Sequence, residues 1–328
     1  MKVFLTGASG FTGTHLTNAL ALGGHQVTII ARNPKAADGF SNKGIKILAG
    51  DISEKEKMKA GMDGSDWVFH LAAYAKPTSL DKDLPFMTNV EGTRNVIEAA
   101  KASGVRKVVF TSTAGTMGFS RDGMPVGEET NRNIEYNTEY EKTKAEAEKI
   151  AMSSSTTLTE IVIVNPTRIF GPGKLGMSNS VTRIIKLYGA GLWRIIPGDG
   201  TAIGNYAFID DVVKGHILAA QHGKGGERYI LGGENVSFES LFDELGRAYG
   251  RKRRMIRLSE SAMKMAARIS ESAGSVVGKP ALISGDWIDK YLQNWIMSSN
   301  KAIKDLSYSI TPFEEALKIT VRWLLRPP

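Results

Sequence analysis

The sequence predicts an α/β fold built on a doubly wound parallel sheet, with a smaller C-terminal α/β lobe. Three observations carry this. Apolar, β-branched strand runs alternate with helical runs through the first half of the chain, the pattern of a sheet covered on both faces. The first strand runs directly into Thr6-Gly7-Ala8-Ser9-Gly10-Phe11-Thr12-Gly13 and then a helix. Tyr140 and Lys144 stand one helical turn apart in a Lys/Glu-rich run, which puts both on one face of a helix.

Taken in order, 2–6 reads as a short apolar strand, and 11–22 has helical spacing through Phe11, Leu16, Ala19 and Leu20. The glycines therefore fall in a strand-to-helix turn. Gly7 allows a tight turn, Gly10 lets the backbone approach a phosphate, and Gly13 lets the helix pack near the strand. Ser9, Phe11 and Thr12 complete a turn whose helix N-terminus points N–H groups at an anion. A second strand, 26–31, ends in Ala31-Arg32-Asn33-Pro34. An acidic residue there would bond the ribose 2′-hydroxyl of a dinucleotide, whereas an arginine suits a 2′-phosphate. Arg32, with Lys35 as a second cation, therefore points to NADP; the alternative is an arginine capping a solvated loop.

Further strands are expected at 45–49, 67–71, 107–112 and 160–165, and helices at 53–60, 83–102 and 138–151. Ligands of such sheets sit beyond the carboxyl ends of the strands. Those ends carry Gly50-Asp51-Ile52, Leu71-Ala72-Ala73, Thr111-Ser112-Thr113 and Asn165-Pro166-Thr167-Arg168.

The 328 residues carry 42% hydrophobic side chains, enough for one large or two coupled domains. The expected division is a nucleotide-binding domain of residues 1–165 plus 205–232 and a substrate lobe of 166–204 plus 233–328. Cysteine is absent, which excludes disulfides and thiolate metal sites and fits a reducing compartment. The five histidines show no metal-ligand pairing, so no metal site is expected. The start of the sequence enters a strand without signal-peptide features, and no apolar run approaches membrane-spanning length. A cytoplasmic protein without membrane contact is expected. The net charge of +8 arises partly from Arg251-Lys252-Arg253-Arg254, which has no interleaved aromatics, so attraction of an anionic small molecule is expected rather than nucleic-acid binding.

The glycine turn, Gly50-Asp51-Ile52, His70-Leu71-Ala72-Ala73, Asn89-Val90-Glu91-Gly92-Thr93, Phe110-Thr111-Ser112-Thr113-Ala114, Tyr140-x-x-x-Lys144 and Asn165-Pro166-x-x-Ile169-Phe170-Gly171-Pro172-Gly173 occur in one order. Together with Asn205-Tyr206-Ala207-Phe208-Ile209-Asp210-Asp211-Val212, they resemble the motif set of the extended short-chain dehydrogenase/reductases, the NAD-dependent epimerase/dehydratase family. Ala31-Arg32-Asn33-Pro34 and Thr111-Ser112-Thr113-Ala114-Gly115-Thr116 are most similar to its dihydroflavonol-reductase-like branch. The resemblance implies that Asp51 accepts from the adenine amino group, that Ile52 packs on the ring, and that Leu71, Ala72 and Ala73 line the adenosine and pyrophosphate channel. Asp51 as a helix cap and the two alanines as sheet packing are the alternatives. Thr111 would lie with these along the cofactor, and Pro166 and Arg168 beside its nicotinamide end.

For the chemistry, a ketone accepting hydride needs a proton donor at its oxygen, and Tyr140 fits. The neighbouring Lys144 ammonium would favour the phenolate and, as the family implies, bond the nicotinamide ribose. Thr113 matches the hydroxyl that polarises the carbonyl; Ser112 is the alternative, because only one of two adjacent strand residues faces the substrate. Asn89 would hold a water or the lysine, or serve structure alone. The family's dehydratases carry Asp-Glu after the hydroxyl residue, where this chain has Ala114-Gly115, so dehydration is disfavoured. Reduction, alcohol oxidation, epimerisation through a transient ketone, and non-catalytic NADP binding remain, with Arg32 favouring a net reductase on a small-molecule substrate. Met177, Arg183, Leu187 and Trp193 are candidates to line the pocket, with a helix expected at 178–188. Met263, Met265, Ala266 and Ile269, on a helix expected at 259–272, are read as core or subunit contact. A monomer or homodimer is expected.

Overall fold

The structure is a computed structural model that describes residues 1–41, 43–75, 81–132, 134–136, 138–277 and 285–326. Seven strands form one parallel sheet in the order β10-β6-β5-β4-β1-β2-β3. They are β1 (Lys2–Thr6), β2 (Gln26–Ala31), β3 (Lys46–Ala49), β4 (Trp67–His70), β5 (Lys107–Thr111), β6 (Glu160–Pro166) and β10 (Arg228–Leu231). The register runs Leu5 to Ile29 and Phe69, then Phe69 to Val109, and Val109 to Val162. Because consecutive strand residues face opposite sides, Val3 and Leu5 join one buried cluster with Ile29, Phe69, Val109 and Val162. Phe4 joins the other, with Val68, Val108, Phe110 and Ile161. Every strand here is apolar on both faces, and each face is covered by helices.

The first face carries α1 (Phe11–Leu22) and the helix Ile209–His222. The second carries α2 (Lys55–Met62), α3 (residues 84–102) and α4 (Glu139–Ser154). Helix α3 is continuous but not uniform: Leu84–Phe86, a π turn at Met87–Glu91 and Gly92–Ala102 follow one another. At the end of β6 the chain leaves the main sheet. Strand β7 (Arg168–Phe170) pairs in parallel with β9 (Ile203–Phe208), which pairs antiparallel with β11 (Glu234–Ser237). Strand β8 (Ile195–Pro197) pairs with β12 (Ile256–Leu258). Helices α5 (Ser180–Ala190), α6 (Ile209–His222, already placed on the first face) and α7 (Phe238–Ala248) come next in the chain. They are followed by α8 (Glu260–Val277), α9 (Gly285–Leu292), α10 (Asn300–Leu306) and α11 (Phe313–Leu324).

The expected return of 205–232 to the nucleotide sheet is therefore divided. Strand β9 belongs to the second sheet, and only α6 and β10 rejoin the first. On α8, Met263 is half-buried, Met265 and Ala266 are exposed and Ala267 is buried, so these residues do not form a core stripe, and the subunit-contact alternative stands. The side chains of Met177 and Ile269 lie outside the described residues. Among the described residues no helix is long and apolar enough to cross a membrane.

Candidate active site

The glycine turn is shaped by close approach. Gly7 has φ +76°, and a Cβ there would sit 2.6 Å from the Ala72 nitrogen and 2.7 Å from the Leu71 carbonyl carbon. At Gly13 a Cβ would stand 2.1 Å from the Gly7 oxygen, so α1 can start this close to β1 only with glycine. The Gly10 N–H donates to the Gly7 carbonyl at 3.0 Å. Helix α1 has no side-chain cap and no acidic residue in its first turn, which leaves its N-terminal N–H groups and dipole to an anion. Ser9 and Gly10 are exposed there and Thr12 is half-buried. Phe11 is buried edge-on against His15. These features fit a pyrophosphate.

At the end of β2, Arg32 is 79% exposed and its Nε lies 3.7 Å from Asp51 Oδ2. Asp51 also caps the following turn. Its Oδ1 accepts from the Ser53 N–H at 2.9 Å, while its own N–H donates to Glu54 Oε2 at 2.7 Å. The helix-cap reading of Asp51 is thus present in the structure, together with a loose ion pair to Arg32. Lys35, three residues after Arg32, is exposed. Ile52 is buried, and a Cβ on Gly92 would strike its Cδ1 at 2.4 Å, so its side chain packs on α3.

Leu71, Ala72 and Ala73 form a partly exposed strip past β4. A one-way hydrogen-bond chain supports it. The Ala72 N–H donates to Thr6 Oγ1 at 3.2 Å, and Thr6 Oγ1 meets His70 Nδ1 at 2.7 Å. His70 Nε2 meets Thr93 Oγ1 at 3.0 Å, and Thr93 donates to the Asn89 carbonyl. Since the one Thr93 proton is committed to that carbonyl, His70 Nε2 carries the proton and Nδ1 accepts from Thr6. Burial, then the nearby Lys144, lowers the His70 pKa to about 3, so this imidazole is neutral. Asn89, in the π turn, accepts from the Tyr74 N–H and donates to the Tyr74 carbonyl and to Thr143 Oγ1. It fastens the loop after β4 to α4.

Helix α4 starts at Thr138, whose hydroxyl accepts from the Glu141 N–H. Lys144 is buried, 1% exposed, on the face turned to the sheet. Its Nζ donates to the Thr111 carbonyl at 2.7 Å and stands 4.0 Å over the Phe110 ring. Burial lowers its pKa to about 7 against the opposing pull of Glu148. Tyr140 is half-buried one turn earlier. Its pKa is pushed up to about 12, by desolvation first and then by Glu141 and Glu148. This direction is opposite to the phenolate-favouring effect expected of Lys144, whose ammonium is turned to the Thr111 carbonyl.

Thr111 is held by its own partner. His216 Nδ1 faces the Val212 carbonyl at 2.7 Å and must donate to it, so Nε2 accepts from Thr111 Oγ1 at 2.9 Å. Ser112 and Thr113 diverge as adjacent extended residues do. Ser112 is buried, and its Oγ has no hydrogen-bond partner among the described residues. Thr113 is half-buried, and its hydroxyl accepts from the Gly115 N–H at 3.2 Å, which leaves its proton to donate elsewhere. Thr113 is the hydroxyl the geometry favours.

Behind Thr113 lies a buried polar network that sequence reasoning missed. Asn165 Nδ2 donates to the Thr113 carbonyl at 3.0 Å and to Glu148 Oε1 at 2.7 Å, and Thr116 Oγ1 donates to the same Glu148 oxygen at 2.8 Å. Arg228 stands 3.6 Å from the other Glu148 oxygen. Glu141 is fully buried beside Gly115, paired with Lys290 from α9 at 2.5 Å and, at 4.0 Å, with Arg132. Arg132 also donates to the Gly115 carbonyl. The available signal was Glu148 four residues beyond Lys144, a charge on the stripe facing the sheet. Pro166 is buried at the end of β6. Arg168, two residues on, lies over the rings of Tyr291, Tyr206 and Phe238 in the second lobe, at 5.3, 5.6 and 5.8 Å. Of the other pocket candidates, Leu187 and Trp193 pack locally, the Leu187 carbonyl accepting from the Trp193 N–H.

Residues 3–232 match the model of the NAD dependent epimerase/dehydratase family. A Synechocystis sp. protein named as a dihydroflavonol 4-reductase is 28% identical over 98% of this chain and 93% of its own length. A 4-hydroxy-2-methyl-3-oxo-4-farnesyl-3,4-dihydroquinoline-1-oxide ketoreductase from Stigmatella aurantiaca is 27% identical over 94% of this chain and 92% of its own. Among solved structures, gox2253 superposes with a TM-score of 0.81 at 28% identity, covering 98% of this chain and 97% of that one. The UDP-glucose 4-epimerase of Thermotoga maritima shares the fold, with a TM-score of 0.80 at 22% identity and 98% of each chain covered. With the glycine turn, the Tyr140–Lys144 helix and the seven-stranded parallel sheet in place, the chain belongs to the NAD dependent epimerase/dehydratase family, whose members are nicotinamide-dependent oxidoreductases and epimerases.

Proposed function

We propose that this protein is an NADP(H)-dependent oxidoreductase that reduces a ketone or aldehyde of a small organic substrate, with Tyr140 as proton donor. The observation that carries this reading is the arrangement on helix α4: Tyr140 stands one turn from buried Lys144, whose ammonium is held by the Thr111 carbonyl, two residues before Thr113. Desolvation, then Glu141 and Glu148, push the Tyr140 phenol up to about 12, which is compatible with a protonated donor at neutral pH. The turn from Gly7 to Gly13 would hold the pyrophosphate, Asp51 and the strip Leu71 to Ala73 the adenosine side, Arg32 the 2′-phosphate, and Lys144 the nicotinamide ribose. When bound, the nicotinamide supplies the hydride.

The chain's own groups do the rest. The free proton of the Thr113 hydroxyl donates to the substrate oxygen and holds it near Tyr140. As negative charge develops on that oxygen, Tyr140 gives it a proton. Lys144, poised near neutrality, stabilises the phenolate left behind and restores its proton. Asn165 and Glu148 hold the Thr113 backbone in place from behind.

Epimerisation through a transient ketone uses the same three side chains; Arg32 at the end of β2 favours NADPH and with it net reduction. Screening aldehydes, ketones and nucleotide sugars against NADPH tests the choice. Stoichiometric NADPH oxidation with a carbonyl compound is the expected result. Inversion of a nucleotide sugar with no net NADPH consumption would replace reduction by epimerisation.

A further inference from the structure

Arg168 is the cation that the site described above does not use. It sits two residues beyond Pro166, where the chain steps from the main sheet to the second one, beyond the strand ends at which ligands of such sheets bind. Its guanidinium lies among the rings of Tyr291, Tyr206 and Phe238. Among the described residues its one hydrogen bond is to the Tyr206 hydroxyl, at 3.4 Å, and it makes no ion pair. Glu234, in register beyond Tyr206 on β11, is turned to the Phe313 N–H. A guanidinium has five N–H donors in a planar fork, and removing it from water without a counter-charge is costly. Cation–π attraction to the three rings offsets part of that cost, but it satisfies none of the donors.

The wall that carries Arg168 is continuous with the catalytic helix. Tyr291 is adjacent to Lys290, which pairs with Glu141, the residue after Tyr140. A chain of contacts thus joins the wall that carries Arg168 to the helix that carries Tyr140.

We propose that Arg168 is a specificity-determining residue that binds a carboxylate or phosphate group of the substrate, with the aromatic rings around it packing on the adjoining apolar part. This rests on the carbonyl-reductase reading and narrows its substrate to anionic carbonyl compounds. A carboxylate or a phosphate oxygen pair matches the fork in a bidentate manner.

The test compares three aldehydes of similar size, 4-carboxybenzaldehyde, 4-formylphenyl phosphate and 4-methylbenzaldehyde, in the unaltered protein and in Arg168→Gln and Arg168→Lys. Turnover with NADPH is read together with saturation-transfer NMR of the bound aldehydes. The expected result is a kcat/KM for one of the anionic aldehydes at least tenfold above that for the methyl compound, with the ratio collapsing toward one in Arg168→Gln and falling partway in Arg168→Lys. Whichever anionic aldehyde keeps the preference identifies the group. A general packing defect lowers all three rates together and leaves the ratio intact, which would overturn the proposal, as would equal ratios in all proteins. If no aldehyde is turned over but NMR shows the anionic probe bound and lost in Arg168→Gln, the anion site stands and the reductase reading falls. Absence of anionic-probe binding to the unaltered protein overturns the site itself.

Discussion

Lys144 offers a quantitative handle that needs no substrate. It is buried, with a pKa lowered from 10.5 to about 7, while in the unfolded chain it returns to the ordinary value. Between those two values the unfolded state binds more protons than the folded state, so this group makes stability rise with pH. Its penalty is absent above the unfolded value, grows as pH falls from 10.5, and levels off below the folded value near 7. A shifted group contributes about 1.4 kcal/mol per pH unit where it is fully shifted, and half that at its folded pKa, so the gain from pH 7 to pH 9 is about 2 kcal/mol. Tyr140, with its folded pKa raised, keeps its stabilising contribution throughout that window and loses it only above the ordinary phenol value. Equilibrium urea unfolding of the cofactor-free protein at pH 7, 8 and 9, set beside Lys144→Met, isolates the lysine, because all other groups cancel in the difference. The unaltered protein should gain about 2 kcal/mol relative to the variant across the range. At pH 7 the variant should be the more stable, despite losing the bond to the Thr111 carbonyl. Parallel stability profiles would show that Lys144 titrates normally and would remove the argument that it is poised near neutrality.

Three further outcomes follow from the site. Tyr140→Phe should bind NADPH with unchanged affinity by fluorescence titration yet lose turnover by a factor on the order of 10²–10⁴, the usual share of a positioned acid; undiminished turnover would rule out the donor role. Arg32→Ala should abolish a preference for NADPH over NADH in binding measurements, and equal affinities in the unaltered protein would count against the 2′-phosphate reading. Gly13→Ala places a Cβ 2.1 Å from the Gly7 carbonyl, so calorimetry should detect loss of dinucleotide binding, with a stability cost of about 1–3 kcal/mol in urea unfolding. Normal binding there would mean that the turn is looser than its contacts indicate.

The parts of this site that were legible in the sequence are those that local geometry dictates. Gly7 and Gly13 announce themselves because no other residue fits a turn pressed on Leu71–Ala72 and on itself. The spacing of Tyr140 and Lys144 follows from the helical period alone. Six of the seven main strands were read to within a residue or so, since they are apolar on both faces; β10 was not placed as a strand. What depended on tertiary partners was not legible. Strand β9 looks like any sheet strand, and nothing local says that it pairs with β7 and β11. Arg168 follows a strand-end motif, but the step out of the main sheet at Thr167 carries its side chain to the lobe. The groups that raise the Tyr140 pKa were not legible, because Lys144 was visible four residues away while the burial of Glu141 and Glu148 was not. Asn165 read as a strand-end residue, yet it sits at the centre of the network that fixes Thr113.

A crystal structure of the NADP+ complex tests the central claim most directly. The account expects the Tyr140 hydroxyl, the Lys144 ammonium and the Thr113 hydroxyl on one side of the nicotinamide and its ribose, with Arg32 drawn from Asp51 to the 2′-phosphate. A nicotinamide lying away from Tyr140, with Lys144 still held by the Thr111 carbonyl and Arg32 still on Asp51, would contradict it.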